Sequence, residues 1–514
     1  MTGFTFKRLA ASTLALAVAT VSLAACGSST NGANGSASST TLTLGYDSDP
    51  APQGYDPLLY GGGQRLFYES VYQSLFAEGA DGQPVPELVS SFGYNKAKTR
   101  MTLKLKSGVT FTDGSKLTAQ LVKANLDRRS NSKLQAYSGF AKGGSSEIAA
   151  VEAPSADTVV LTFPAAQGSF QTNLAGVPGT MVGAKAISDP SLLDKGPDGS
   201  GPYRMNSAVK GSSYTMSRQP GTNAGTYPFR TIVYKPYLDK NARLNAQISG
   251  QTDASLLDTS TERTASSNGV SLVKNGGTML DLLVFDKTGV SSKPFGSKDV
   301  RLALSYAIDR DAFVKSVAKG AEPTANAFPK SSPGYDPALN TRYAYDVAKA
   351  KSTLSRAGYP HGFSFTITAS PTDQAALEFL QNGFKAIGVD MKIDVTTSTG
   401  RLFAAVNSQP LGFIPLTMSN EIGVTAGVLV GGFANPHKTQ DPVIGAALGA
   451  ASNASGPDHA AALKKLNGSL IDEGWLIPVA EQYAYAGYDA KALKAPTYPG
   501  TDGYPLLSSF KPVG

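Results

Sequence analysis

The stretch from residue 282 to residue 310 constrains the fold of this chain more than any other. It begins with four apolar residues, 282–285. A short apolar run bounded by turn residues is typical of a buried strand. A loop rich in Gly, Ser and Pro follows, and from Val300 apolar residues recur at i, i+3, i+4, i+7 and i+8, which predicts a helix with one apolar face. This stretch is therefore expected to fold as a buried strand, a loop and a core-facing helix; the alternation of helices and strands over residues 345–395 indicates an α/β lobe.

Polar residues mark the expected helix boundaries in this stretch. Ser297 is a candidate N-cap for the first helix, with Asp299 in its first turn, where the helix dipole favours a negative charge. Asp309 or Asp311 could cap a second helix that runs to Gly320.

Elsewhere the same rules predict further elements. Alternating residues predict strands at 41–45, 101–105, 158–163, 364–369 and 389–395. Helices are predicted at 65–76, at 375–388 and from a Thr118 cap to residue 128.

Length and charge exclude some classes of protein. At 514 residues the chain is too long for one compact domain. Its formal charge is +7, but the basic residues are scattered and form no run of five, so a nucleic-acid-binding stripe is not indicated.

The N-terminal segment has the pattern of a lipoprotein leader. Lys7 and Arg8 precede an apolar run over residues 9–25, and Cys26 is the single cysteine of the chain. The sequence LAACG at residues 23–27 resembles the bacterial lipobox, in which cleavage leaves a lipid-bearing cysteine. We therefore predict a signal peptide at 1–25, a flexible tether at 26–40, lipid on Cys26 and an extracytoplasmic protein anchored to the cell membrane.

Several motifs carry a resemblance to a known family. Residues 106–119 read KSGVTFTDGSKLTA, and further matches are GSGPYR at 199–204, PF at 294–295, AIDR at 307–310 and AGYP at 357–360. This order of motifs resembles the extracellular solute-binding proteins of peptide and nickel ABC importers, solute-binding family 5, which includes dipeptide- and oligopeptide-binding proteins.

The resemblance implies an α/β, two-lobed periplasmic-binding-protein-like fold (type II, large cluster) with an extra subdomain in the first lobe. It further implies a monomer that closes on a solute by a hinge and delivers it to a membrane permease driven by an ATPase. Crossing segments are expected near residues 279–287 and 478–485. The expected domains are lobe 1 at 41–60, 186–280 and 480–514, the extra subdomain at 61–185, and lobe 2 at 281–479.

The resemblance also implies where a ligand binds. Peptide binders of the family pair an aspartate of the second lobe with the peptide amino terminus. The matching region here has Glu421 as its one carboxylate, and Asp286 stands where the family has Asn. Short peptides are the expected solute; a non-peptide solute such as a glycan or another small organic molecule is the alternative, because a site without an ammonium group needs no carboxylate.

From these segments we expect six ligand-binding residues and no cofactor. No enzyme is expected, since Gly-x-Ser-x-Gly and HExxH motifs are missing from the sequence. No metal site is expected, since the three histidines lie in separate segments. A ligand-sensing or structural surface lipoprotein is the remaining alternative. The expected ligand-binding residues are Tyr46, Asp49, Tyr203, Asp286, Asn420 and Glu421.

Overall fold

The computed structural model of the protein describes residues 40–59, 64–80, 82–130, 147–418, 421–454, 457–500 and 503–514. The predicted leader, most of the tether, Cys26 and Asn420 lie outside these residues. Within them, no helix combines the length and apolar character needed to cross a membrane.

The strands form one large sheet and three small ones within this part of the chain. The order in the large sheet is β16-β12-β17-β11-β1-β10-β9-β8, with β13 added to β17. The bounds are β1 Thr41–Tyr46, β2 Phe76–Glu78, β3 Pro84–Pro86, β4 Val89–Tyr94, β5 Arg100–Leu105, β6 Ala150–Ser155, β7 Thr158–Thr162, β8 Tyr203–Val209, β9 Ser213–Arg218, β10 Thr231–Pro236, β11 Ala254–Asp258, β12 Ser271–Val284, β13 Glu322–Pro323, β14 Phe363–Ala369, β15 Val389–Val395, β16 Leu411–Thr417 and β17 Leu476–Tyr488.

The helices cover the sheets and are mostly short. A π-helix at Thr425–Val430 continues the twelfth α-helix. The bounds are α1 Arg65–Val71, α2 Ala119–Ser130, α3 Ala184–Ser188, α4 Lys240–Ile248, α5 Glu262–Ser267, α6 Lys298–Tyr306, α7 Arg310–Ser316, α8 Pro337–Arg342, α9 Val347–Arg356, α10 Gln374–Lys385, α11 Thr399–Ser408, α12 Glu421–Val424, α13 Pro442–Asn453 and α14 Pro457–Asp472.

The apolar residues of the described chain gather into three main cores. One core extends from Met279 to Ala480 and defines what we call the second lobe. A second core joins residues between Leu42 and Phe510 and defines the first lobe. A third, between Leu58 and Met181, surrounds the sheet β4-β5-β7-β6 and defines the insert subdomain. The domain boundaries expected from the sequence remain a proposal. Residues 66–72, expected in the insert subdomain, pack in the first-lobe core.

The stretch from residue 282 to residue 310 folds largely as predicted. The strand is longer than its apolar run and begins at Ser271. Ser297 occupies the N-cap position of α6, but its side chain makes no capping hydrogen bond. Asp309 caps α7, since its carboxylate accepts from the main-chain N–H of Ala312 at 2.9 Å.

One helix prediction is wrong in its second half. The helix that begins at Arg65 ends at Val71, and Tyr72 is already extended with φ −121° and ψ 153°. Phe76–Glu78 is a strand that pairs with Pro84–Pro86. The apolar pattern fits both conformations. Backbone bridges from Ser74 to Thr180 and from Phe76 to Ala175, about a hundred residues away, favour the extended one.

Candidate ligand-binding site

Two long strands pass from one lobe into the other. In the first lobe β17 pairs with β11, and this pairing ends at Ala484 opposite Asp258. In the second lobe β12 pairs with β16, beginning with Thr278 opposite Thr417. The register between β12 and β17 shifts between Gly276 and Thr278. The crossing, as we call this place, therefore begins a few residues before the segment at 279–287 expected from the sequence.

Glu481 is buried at the crossing. Its Oε2 accepts from the main-chain N–H of Lys330 at 2.9 Å, while Oε1 has no hydrogen-bond partner among the described residues. Burial raises the pKa of the carboxyl. The close approach depends on Gly276, because a Cβ atom at this position would lie 1.9 Å from Oε1.

Three charged side chains lie near the buried Glu481: Glu322, Lys274 and Lys330. Glu322 of β13 forms ion pairs with Lys274 at 3.4 Å and with Lys330 at 3.1 Å. The Lys274 ammonium also lies 3.5 Å from the ring centroid of Tyr483. These pairs are partly exposed, so they fix side-chain positions more than they stabilise the fold.

Glu421 begins α12 close to the same crossing. Three residues earlier, Met418 donates its main-chain N–H to the carbonyl of Gly277 at 3.0 Å, which ties this segment to β12. Burial raises the pKa of Glu421, although its hydrogen bond with Ser332 acts in the opposite direction. Oε1 of Glu421 is buried and lacks a partner within the described parts of the chain.

The loop at residues 330–332 connects the two carboxylates. Its Lys330 N–H donates to Glu481, and its Ser332 lies close enough to Glu421 to lower the pKa of that carboxyl. One turn beyond Glu421, the fully buried Thr425 hydroxyl also has no hydrogen-bond partner in the described structure. Unsatisfied oxygens on a carboxylate and a hydroxyl can accept hydrogen bonds from a ligand, and a carboxylate favours a cationic donor.

The segment after β1 places its side chains in several environments. Tyr46 is a core residue whose ring lies 5.6 Å from that of Tyr234 in an edge-to-face arrangement. Asp49 accepts from the main-chain N–H of Ala51 at 3.0 Å and from the hydroxyl of Tyr214. Asp47, which the sequence did not single out, is half-buried, and burial raises its pKa.

Tyr203 is also part of the first-lobe core. It is 1% exposed, and its hydroxyl donates to the carbonyl of Phe229 at 3.0 Å. Its ring packs against Tyr227, with the centroids 6.1 Å apart. These contacts satisfy the side chain within the first lobe, and a ligand-binding role for Tyr203 stays a prediction.

Asp286 binds the main chain of the loop that follows it. The two carboxylate oxygens accept from the five consecutive main-chain N–H groups of residues 288–292, at 2.6–3.1 Å, and from the Ser291 hydroxyl at 2.8 Å. Burial disfavours the charge, yet these donors outweigh it and lower the pKa to about 2. The loop therefore binds the ionised carboxylate of Asp286, and a part for this residue in ligand binding stays a prediction.

The structure thus separates the expected site residues. Glu421 lies beside the crossing, Asp49 and Tyr46 lie in the first lobe, and Tyr203 and Asp286 are engaged in local structure. Sequence reasoning missed Glu481, Ser332 and Thr425. For Glu481 a signal existed, since it is a carboxylate in the apolar strand after Pro478; the other two have none in the sequence.

A separate cavity of about 80 Å³ lies in the first lobe. Its wall combines stacked Tyr68 and Tyr72 with Glu69 and Glu87, and burial raises the pKa of Glu87 to about 7. Residues of the second lobe are not part of its wall. No group of three or more metal-ligating side chains occurs among the residues that the structure describes.

Two α/β lobes joined by crossing strands, with unsatisfied oxygens beside the crossing, define a two-lobed periplasmic-type binding protein. Residues 83–427 match the family model "Bacterial extracellular solute-binding proteins, family 5 Middle". The chain belongs to this family.

Comparisons with individual proteins support the same fold. The chain is 30% identical over 337 residues to the glutathione-binding protein GsiB of Pectobacterium atrosepticum, and the match spans 63% of this chain and 63% of that protein. The structure of AgaA from A. tumefaciens R10 in complex with agropinic acid is similar with a TM-score of 0.75 at 23% identity, covering 92% of this chain and 99% of AgaA. DppA from Helicobacter pylori in complex with the peptide STSA is similar with a TM-score of 0.72 at 19% identity, covering 92% of this chain and 97% of DppA.

Proposed function

We propose that this chain is the substrate-binding component of an ABC importer. In this role it captures a solute between its two lobes, closes on it and delivers it to a membrane permease with its ATPase. The observation that carries the proposal is the family match over residues 83–427, on a fold whose two lobes are joined by β12 and β17. A lipid on Cys26 would hold this monomer at the outer face of the cell membrane, and no catalytic step is part of the role.

For the solute we propose short peptides with a free amino terminus. The support is Glu421, whose buried Oε1 has no partner in the described residues and which lies next to the crossing. A ligand ammonium there would pair with the carboxylate and offset the free-energy cost of burying it. The relative GsiB is named for glutathione, a tripeptide with a free amino group, and DppA holds a tetrapeptide.

A small non-peptide solute is the second candidate. AgaA, which has the same fold, is described with agropinic acid rather than with a peptide. In that case the unpartnered oxygens of Glu421 and Thr425 would accept from hydroxyl or amide donors instead.

The first experiment is mass spectrometry of small molecules released by denaturing the purified chain. Peptides would support the first proposal, and a single non-peptide compound would replace it with the second. Calorimetry then measures the affinity of the wild type and of Glu421→Gln for glutathione and for the peptide STSA. Each ligand is used once with a free and once with an acetylated amino group.

We expect Glu421→Gln to weaken binding of the free-amino ligands by about 2–5 kcal/mol, because a buried ammonium would lose its charged partner. Acetylation of the ligand should have a similar effect in the wild type and little further effect in the variant. Glu378→Gln, the same change at an exposed position of the second lobe, is the control. Equal affinities in the wild type and Glu421→Gln would exclude Glu421 from this role.

A further inference from the structure

In the part of the chain that the structure describes, three hydrogen bonds run from the insert subdomain to the last two residues of α13 in the second lobe. Lys98 Nζ donates to the main-chain carbonyl of Asn453 at 2.8 Å. The N–H of Gly168 donates to Asn453 Oδ1 at 3.2 Å. The Ser169 hydroxyl donates to the main-chain carbonyl of Ser452.

Two of the three acceptors are main-chain carbonyls that the helix cannot satisfy by itself, and the third is the side-chain oxygen of Asn453. The last four carbonyls of a helix have no intrahelical donor, and α13 ends at Asn453. The C-terminal end of a helix also carries partial negative charge, which attracts the Lys98 ammonium. The insert subdomain therefore supplies donors and a positive charge where the second lobe needs both.

Two loops of the insert subdomain are built to present these donors. Lys98 adopts a left-handed conformation with φ 55°, which residues other than Gly adopt rarely. Asn95 accepts from the main-chain N–H groups of Thr99 and Arg100 at 2.9 and 3.0 Å, and Lys98 accepts from Gln167 N–H at 2.8 Å. The two loops are thus fastened to each other.

Gly168 leaves the space that the contact requires. A Cβ atom at this position would lie 2.8 Å from Lys98 Cδ and 3.0 Å from Asn453 Oδ1. A larger side chain at residue 168 would act as a wedge between the insert subdomain and α13.

The chain connects the insert subdomain to the second lobe only by way of the first lobe and β12. A rotation of the lobes about the crossing would therefore pull these donors away from their acceptors. We propose that Lys98, Gly168, Ser169, Ser452 and Asn453 form a clasp that stabilises the closed arrangement of the two lobes. The inference rests on the two-lobed binding function, but on no particular ligand.

The size of the effect follows from ordinary hydrogen bonds. A single intramolecular hydrogen bond changes an equilibrium constant by about two- to twelvefold. Loss of one clasp bond should lower the ratio of closed to open molecules by that factor, and a wedge should remove the closed population.

Pulsed EPR between two spin labels measures this ratio directly. We would label Ser107→Cys in the insert subdomain and Ser355→Cys on α9, both exposed, in the full chain carrying Cys26→Ser. Distances would be measured in the protein as purified and after unfolding, dialysis and refolding, which removes bound solute. Lys98→Met and Gly168→Val break the clasp, and Lys96→Met, an exposed lysine of the same turn, is the control.

We expect a short-distance population in the wild type and in Lys96→Met in at least one of the two preparations. Lys98→Met should lower its ratio to the long-distance population about two- to twelvefold, and Gly168→Val should abolish it. The proposal would be overturned if the populations were unchanged in both clasp variants. It would also be overturned if the wild type showed no short distance in either preparation, or if Lys96→Met lost the short-distance population as much as Lys98→Met does. Circular dichroism checks that each variant is folded. Because the readout is a distance, failure of peptide binding would leave this result intact.

Discussion

Asp281 and Asp286 lie five residues apart and both are 0% exposed, yet their pKa values are shifted in opposite directions. Asp286 accepts from five main-chain N–H groups and a hydroxyl, and its pKa is lowered to about 2. Asp281 sits within β12, where neither of its oxygens has a partner in the described structure, and burial raises its pKa well above the ordinary value. Burial alone therefore does not set the charge of a carboxylate; the donors that surround it decide.

The loop after β12 shows what a satisfied carboxylate does for the fold. Residues 288–292 wrap around Asp286 and turn at Gly289, whose φ is +80°. The turn delivers the chain to the start of α6. By contrast, Asp281 lies within the strand between Leu280 and Leu282, and its oxygens accept no hydrogen bond from the described residues.

Removal of Asp286 should have the largest effect. Asp286→Ala leaves five main-chain N–H groups without their carboxylate acceptor, and we expect the free energy of unfolding to fall by about 2–3 kcal/mol. Urea denaturation measures this change. Asp299→Ala, in the first turn of α6, should cost less than about 1 kcal/mol, and equal losses in the two variants would contradict the assigned role of Asp286.

The pH dependence of stability should separate the two carboxylates. The lowered pKa of Asp286 gives a stabilisation that is present above pH 3.8 and is lost as the pH falls towards 2, worth about 2 kcal/mol for a shift from 3.8 to about 2. The raised pKa of Asp281 has the opposite sign: its contribution is present below pH 3.8 and is lost as the pH rises through the folded-state pKa.

Urea titrations of the wild type and Asp286→Ala between pH 2 and 8 check this expectation. The difference between the two proteins should shrink as the pH approaches 2. A constant difference over the whole range would mean that Asp286 acts without its charge.

Replacement of Asp281 should have the smallest effect, and it should be a gain. Asp281→Leu removes an unsatisfied carboxyl from an apolar strand, so we expect about 1 kcal/mol of added stability at pH 7 after the cost of fitting a larger side chain. The gain should be smaller at pH 4, where the carboxyl binds its proton more completely. A loss at both pH values would reveal a partner of Asp281 that stabilises the fold.

Local patterns predicted the elements of this fold better than the chemistry of its site. The capped helix α7 and the pair β14 and β15 depend on neighbouring residues and on helix or strand spacing, so the sequence reveals them. The role of Asp286 was missed because a loop conformation, and not a spacing, brings five N–H groups to one carboxylate.

Contacts between distant segments were the least accessible to sequence reasoning. Glu421 meets Ser332 across 89 positions of the chain, and Glu481 meets Gly276 across 205. The resemblance to the family pointed to Glu421 through its aligned position, but no pattern within the sequence indicates either neighbour. Only the folded sheet places these groups at one crossing.

The two crossing strands also decide how the lobes can move. β12 and β17 share one hydrogen-bond ladder from Ser271 opposite Tyr488 to Leu283 opposite Leu476. Strands joined in this way bend together, so the lobes cannot swing about two independent joints. The register shifts at two places, between Gly276 and Thr278 and between Leu280 and Asp281, and we expect bending to concentrate there. We therefore expect the lobes to move by a shared bending of the two strands, so that a change at the crossing alters the angle between the lobes.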